Sequence, residues 1–130
     1  MEDNWLVCGT RRGDYKDFCI TKLDEFYHNR KALKQKGSDW KPRIIEGCCP
    51  DSADAYAEEW ATGKGFEIMH HPSTQGNYLK RNIEMCKKAT LVFAFWDGYS
   101  YGTAHTIAQA TMRRIPVMIY QLKGGRREID

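Results

Sequence analysis

The sequence predicts an α/β fold: a Rossmann-like, doubly wound, mostly parallel five-stranded sheet with helices on both faces. Three observations carry this reading. Five apolar runs of strand length punctuate the chain, and four segments with amphipathic helical spacing alternate with them. The run Leu91-Val92-Phe93-Ala94-Phe95 has no polar alternation, so both of its faces are buried, as in a parallel sheet. Strand–helix alternation with buried strands implies parallel βαβ units, and right-handed crossovers then restrict the topology to a doubly wound sheet.

The elements follow in order. A first strand spans Trp5–Cys8, and a first helix runs from Tyr15 to about Lys34, with Tyr15, Phe18, Cys19, Leu23, Phe26 and Tyr27 on one stripe. The charged stretch Lys31–Lys41 reads as a solvated loop, and Pro42 precedes a second strand, Arg43–Glu46. Pro50-Asp51-Ser52 offers a helix start with Asp51 or Ser52 as cap. That helix, Asp51–Thr62, buries Ala53, Ala57, Trp60 and Ala61 and stops before Gly63 and Gly65. A third strand at Phe66–Met69 leads to a helix over Asn77–Lys88, carrying Leu79, Ile83 and Cys86. The fourth strand, Leu91–Phe95, is followed by a helix over Thr103–Arg114 with Ala104, Ile107, Ala108 and Thr111 on its stripe. Pro116 then introduces the last strand, Val117–Tyr120.

A chain of 130 residues makes one domain, placed here at 1–122, and the Gly- and charge-rich end 123–130 reads as a frayed basic tail. Apolar residues at 42% and charged residues at 28% exclude disordered and coiled-coil classes. No apolar run approaches the roughly 18 residues of a membrane helix. The start Met1-Glu2-Asp3-Asn4 lacks a basic, then apolar, signal pattern, so a cytoplasmic protein without membrane contact is expected. A net charge of +3 is too mild to imply nucleic acid by itself. The five cysteines are odd in number and lack CxxC spacing, and Cys48-Cys49 is adjacent; small buried thiols are expected, with no disulfide framework. Adjacent His70-His71 makes a poor metal pair, so neither a metal nor a cofactor is expected.

In doubly wound sheets ligands bind beyond the carboxyl ends of the strands. After the first strand come Gly9, Thr10 and Arg11: close backbone approach, a hydroxyl, and a guanidinium that can fork onto phosphate. After the second come Glu46, Gly47 and the helix-opening Asp54, which either favours the helix dipole or bonds a ligand hydroxyl. After the fourth comes Trp96-Asp97-Gly98-Tyr99-Ser100-Tyr101-Gly102-Thr103. The first amides of the following helix lack internal partners and face positive dipole potential, so a phosphate suits them, with Ser100 and Thr103 adding hydroxyls. Trp96 could stack a base. Gly98-Tyr99-Ser100-Tyr101-Gly102 also spells a nucleophile elbow, but the one later histidine, His105, precedes any later acid such as Asp130, the reverse of the order that hydrolase fold uses. On the third helix, Arg81 and Asn82 point into the cleft, or Arg81 simply pairs with Glu84 on the surface.

Together these loops resemble the SLOG superfamily, in particular its small stand-alone branch. The resemblance rests on Gly9-Thr10-Arg11, Asp54 with Ala57-Glu58-Glu59-Trp60-Ala61, Arg81-Asn82-Ile83-Glu84-Met85, and Gly98-Tyr99-Ser100-Tyr101-Gly102-Thr103, in order from Leu6 to Val117. It implies a Rossmann-like fold and a nucleotide or nucleotide-derived ligand, bound by a sensor or sequestering module. The Lonely Guy branch, more distantly similar, cleaves the N-glycosidic bond of nucleoside 5′-monophosphates; DNA-processing relatives bind single-stranded DNA. The enzyme branch uses an arginine before its helical methionine, matched by Arg81, and a glutamate after the Gly-Thr pair. His105 and Thr106 stand there instead, so a carboxylate for glycosidic chemistry would have to come from another position, Glu46, Asp54 or Glu84. The expected site is therefore phosphate on Gly98–Thr103, charge neutralisation by Arg11 and Arg81, and a ribose hydroxyl on Asp54 or Glu46. Phosphoribohydrolysis with Arg81 as catalytic residue and single-strand binding, helped by Arg113, Arg114, Lys123, Arg126 and Arg127, are the alternatives. Relatives also imply a homo-oligomer.

Overall fold

The structure is a computed structural model that describes residues 2–74 and 76–123. Five strands and four helices alternate: β1 (Asn4–Gly9), α1 (Lys16–Ala32), β2 (Arg43–Glu46), α2 (Ala53–Lys64), β3 (Ile68–His70), α3 (Tyr78–Lys88), β4 (Leu91–Trp96), α4 (Tyr101–Met112) and β5 (Val117–Gln121). All strand pairs are parallel, in the order β3-β2-β1-β4-β5. The chain winds outward from β1 to β3, returns, and winds outward again through β4 and β5. The switch point lies between β1 and β4. This is the doubly wound α/β sheet that the alternation predicts. The tail expected from Lys123 onward lies, past Lys123 itself, outside the described residues. Among the described residues no helix is long and apolar enough to cross a membrane.

Strand periodicity sorts the core into two layers. Trp5 and Val7 join Ile44, Phe93 and Phe95 on the face covered by α1 and α2, while Leu6 and Cys8 join Ile45, Val92 and Ala94 under α3 and α4. The first layer is aromatic. Trp5 meets Phe26 edge-on at 5.4 Å and tilts against Phe93 at 5.3 Å, and Phe95 stacks on Tyr120 at 4.8 Å. Such pairs each add about 0.5–1.5 kcal/mol beyond the area they bury. The second layer is made of smaller side chains, which lets α3 and α4 sit close to the sheet.

Several boundaries differ from the sequence expectation, for local reasons. Ser52, not Asp51, caps α2: its Oγ accepts from the Asp54 amide at 3.1 Å. Asp51 adopts a left-handed φ of 51°. The α2 helix ends on Gly65 at φ 77°, and the Phe66 amide folds back to the Ala61 carbonyl at 2.9 Å. Phe66 is thus a helix-terminating core residue, and β3 starts two residues later. The α4 helix starts at Tyr101 rather than Thr103. Cys8, Cys19 and Cys86 are buried as expected, but Cys48 is exposed and Cys49 half-buried, because the loop after β2 carries them out of the core.

Tyr15 joins the elements at the switch point. Its hydroxyl donates to the Thr10 carbonyl at 2.5 Å and accepts from the Ala53 amide, the first of α2, at 2.9 Å. Tyr15→Phe leaves both buried groups unpaired, which costs about 1–3 kcal/mol per stranded group. Urea denaturation should show that loss with an unchanged m-value.

Candidate functional site

A cleft of about 1660 Å³ opens beyond the carboxyl ends of β1 and β4. It forms there because the chain leaves β1 and β4 toward opposite faces of the sheet, which parts the two loops. Of the twelve expected ligand residues, the cleft is bordered by Gly9, Thr10, Arg11, Asp54, Arg81, Asn82, Ser100, Gly102 and Thr103. Glu46, Gly47 and Gly98 are absent from its lining.

The loop after β1 is fixed from below. A Cβ at Gly9 would stand 2.7 Å from the Tyr15 hydroxyl and 2.8 Å from the Phe95 carbonyl, so the close approach of the loop requires glycine. The Thr10 amide donates to the Phe95 carbonyl at 2.9 Å, and its hydroxyl accepts from the Asp97 amide at 3.0 Å. Thr10 therefore ties the two cleft-lining loops together. Arg11 projects from this loop, exposed to solvent.

The loop after β4 is held by Asp97. Its Oδ1 accepts from the amides of Tyr99 and Ser100, both at 2.8 Å. The first helical bond of α4 runs from the Ala104 amide to the Ser100 carbonyl. The amides of Tyr101, Gly102 and Thr103 precede that ladder and are the ones an anion would meet. Beyond Gly102's chain neighbours and the backbone of α4 itself, no heavy atom of the described residues lies within 4 Å of where a Gly102 Cβ would be, so the space beside Gly102 is open. Ser100 Oγ donates to Thr103 Oγ1 at 3.2 Å. Gly98, at φ 88°, shapes the turn from behind. Trp96 braces it by donating Nε1 to the Ser100 carbonyl at 3.0 Å.

The third wall is α3. Arg81 does not pair with Glu84; its Nη1 donates to the Gly47 carbonyl at 2.6 Å and reaches the His71 carbonyl at 3.4 Å. A Cβ on Gly47 would collide with this guanidinium, so Gly47 serves the site indirectly, as the seat for Arg81. Asn82 is buried and spans to α4, with Nδ2 3.4 Å from the Gly102 carbonyl and 3.3 Å from His105 Nδ1. Asp54 is buried too. Its Oδ2 accepts from the Cys49 amide at 3.1 Å. Burial pushes its pKa up, partly opposed by that amide and by Arg81.

Tyr78 is the residue that the sequence reading missed. Its ring centroid lies 6.0 Å from the Arg11 guanidinium and 5.9 Å from that of Arg81. An aromatic three residues before Arg81 shares its helix face, and that spacing was the available signal. Lys123 and Arg12 add positive charge to the cleft, while Asp14, Asp17, Asp54 and Asp97 add negative charge, so the cleft as a whole is of mixed charge.

Glu46 is turned away from the cleft. Fully buried, it accepts from the Cys48 amide through Oε1 at 2.6 Å and faces Glu58 and His70 with Oε2. Burial, then the Glu58 carboxyl, raise its pKa to about 8. The half-exposed Glu58 moves the opposite way, lowered by its bond to Glu46 and by His70. His71 diverges from His70 and meets Lys88 Nζ at 2.8 Å. Between an unfolded carboxylate value near 4.5 and the folded value near 8, the native chain holds a proton on Glu46 that the unfolded chain has lost. Unfolding free energy in metal-free buffer should therefore fall as pH rises from about 5 to 8, and Glu46→Gln should flatten that slope in pH-dependent urea titrations.

No family model and no curated protein matches this chain. Among solved structures, it is similar to the structure of Moco Carrier Protein from Chlamydomonas reinhardtii, with a TM-score of 0.59 and 12% sequence identity, over 98% of this chain and 82% of that one. The two share the Rossmann-like α/β architecture.

Proposed function

We propose that this chain binds a nucleotide or nucleotide-derived ligand as a SLOG-type sensor or sequestering module. One observation carries the reading: at the switch point, the unladdered amides at the start of α4, the open space over Gly102 and the Arg11–Tyr78–Arg81 group all border one cleft. The phosphate takes the amides of Tyr101, Gly102 and Thr103, where the dipole of α4 adds to the hydrogen bonds. Arg11, exposed at the cleft rim with its Nη2 3.8 Å from Cys49 Sγ, closes on the same charge. Tyr78, already flanked by cations, offers a face for a heterocycle. Asp54 is the carboxyl placed to take a sugar hydroxyl.

Binding without turnover fits the residues better than glycosidic cleavage. The helix positions where the hydrolases keep a glutamate hold His105, near Asn82, and Thr106, whose hydroxyl donates to the Gly102 carbonyl at 3.2 Å. Arg81 is engaged with two carbonyls, which suits a residue that shapes the site. The similar solved structure is named as a carrier of Moco, also a bound cargo, so Moco belongs in the ligand panel.

Calorimetry against adenine and guanine nucleotides, ADP-ribose, cyclic nucleotides and Moco tests the proposal. Gly102→Asp should abolish binding with the circular dichroism spectrum unchanged, because open space surrounds the new side chain and its charge repels the phosphate. Arg11→Ala should weaken binding roughly tenfold or more, the worth of a charge-assisted hydrogen bond of about 1.5–3 kcal/mol. A wild-type chain that takes up no member of the panel refutes the reading; release of free base from AMP, lost in Arg81→Ala, replaces it with the hydrolase.

A further inference from the structure

Behind the cleft, three donor side chains from three elements converge. Glu46 ends β2, Glu58 lies on α2, and His70 ends β3. One ligand atom from each falls within 4.8 Å of the other two. His70 Nε2 stands 3.1 Å from Glu58 Oε1 and 3.4 Å from Glu46 Oε2. A tetrahedral ion with bonds of about 2.0–2.1 Å keeps its oxygen and nitrogen donors roughly 3.3–3.4 Å apart, so these atoms need little movement to share one. Cys48 Sγ stands 3.8 Å from Glu46 Oε2. The corresponding edge for a zinc–sulfur bond of about 2.3 Å is roughly 3.5 Å.

Charge points the same way. Glu46 is fully buried while Glu58 and His70 are half exposed, so the group has a buried floor and a solvent-side entry. Among the described residues, the ion pairs of Glu46 and Glu58 are with His70 alone. A divalent cation can balance two carboxyl groups that share a single imidazole partner. The imidazole and the neighbouring thiol favour a borderline transition metal over magnesium or calcium, which prefer oxygen donors throughout.

We propose that Glu46, Glu58 and His70 form a binding site for a divalent metal ion of the zinc class, with its fourth position open toward Cys48. On binding, Glu46 enters as the carboxylate and Cys48 as the thiolate, and both release their protons to solvent. The ion would pin the loop after β2 to α2 and β3. That loop also carries Gly47, the seat of Arg81, and Cys49, the donor to Asp54. Sequence spacing hides the site: its donors are twelve residues apart, one per element, and no CxxC-type pair announces them.

The test is zinc titration of the chelator-stripped full chain by calorimetry, with cobalt(II) absorption as a second reading of tetrahedral coordination. One ion per chain is expected. His70→Ala and Glu58→Gln, both at half-exposed positions that the fold tolerates, should each weaken zinc binding by at least the roughly 10–100-fold that even an outer-shell partner is worth. Failure of the wild-type chain to take up zinc, or undiminished uptake by either variant once circular dichroism confirms folding, overturns the proposal. Neither outcome bears on nucleotide binding, which uses the opposite side of the same loop.

Discussion

One hydroxyl group sets the geometry of the whole strand-end region. Tyr15 Oη sits beneath Gly9, where a side chain would collide with it, and joins the loop after β1 to the first amide of α2. Thr10, held from that side, then bonds the Phe95 carbonyl with its amide and receives the Asp97 amide on its hydroxyl. Three crossovers are thereby locked at one place. The chain gives up side-chain volume at Gly9 so that a single buried phenol can satisfy groups on two elements, and the cleft is the space left over once those groups are paired.

The division of the core into an aromatic layer and a layer of smaller side chains has a functional counterpart. Large rings under α1 and α2 make a stiff base for the β1 loop, while Met85, Cys86 and Ala110 let α3 and α4 approach until Asn82 reaches the Gly102 carbonyl. The wall carrying Arg81 and the wall carrying the α4 amides are thus held at a fixed spacing by a buried amide side chain. Arg81 in turn draws the β2 and β3 loops against α3. Cleft-lining and scaffold roles overlap in the same residues.

Much of this was legible in the sequence because hydrophobic periodicity is a direct record of burial. The unbroken run Leu91–Phe95 marks a strand covered on both faces, and the glycine-containing loops after β1 and β4 mark the switch point. What could not be read was direction. Glu46 follows Ile44 in strand parity, so its side chain takes the α2 face and leaves the cleft, a rule that needs the strand's exact register to apply. Ser52 wins the cap over Asp51 only because the loop puts Asp51 in a left-handed turn. Phe66 looks like strand and is instead the residue that closes the end of α2. The partnership of Tyr78 with two arginines depends on Arg11 arriving from a loop 67 residues away, which no local pattern records.

The carboxylate of Asp97 holds two consecutive amides of its own turn before any guest arrives. A glycine-containing segment of this kind would otherwise sample many shapes and surrender that freedom at the moment of association. Here the surrender takes place during folding. Under the proposed function, an incoming anion would meet a finished cradle, and most of its attraction to the backbone would survive as affinity rather than being consumed in ordering the chain.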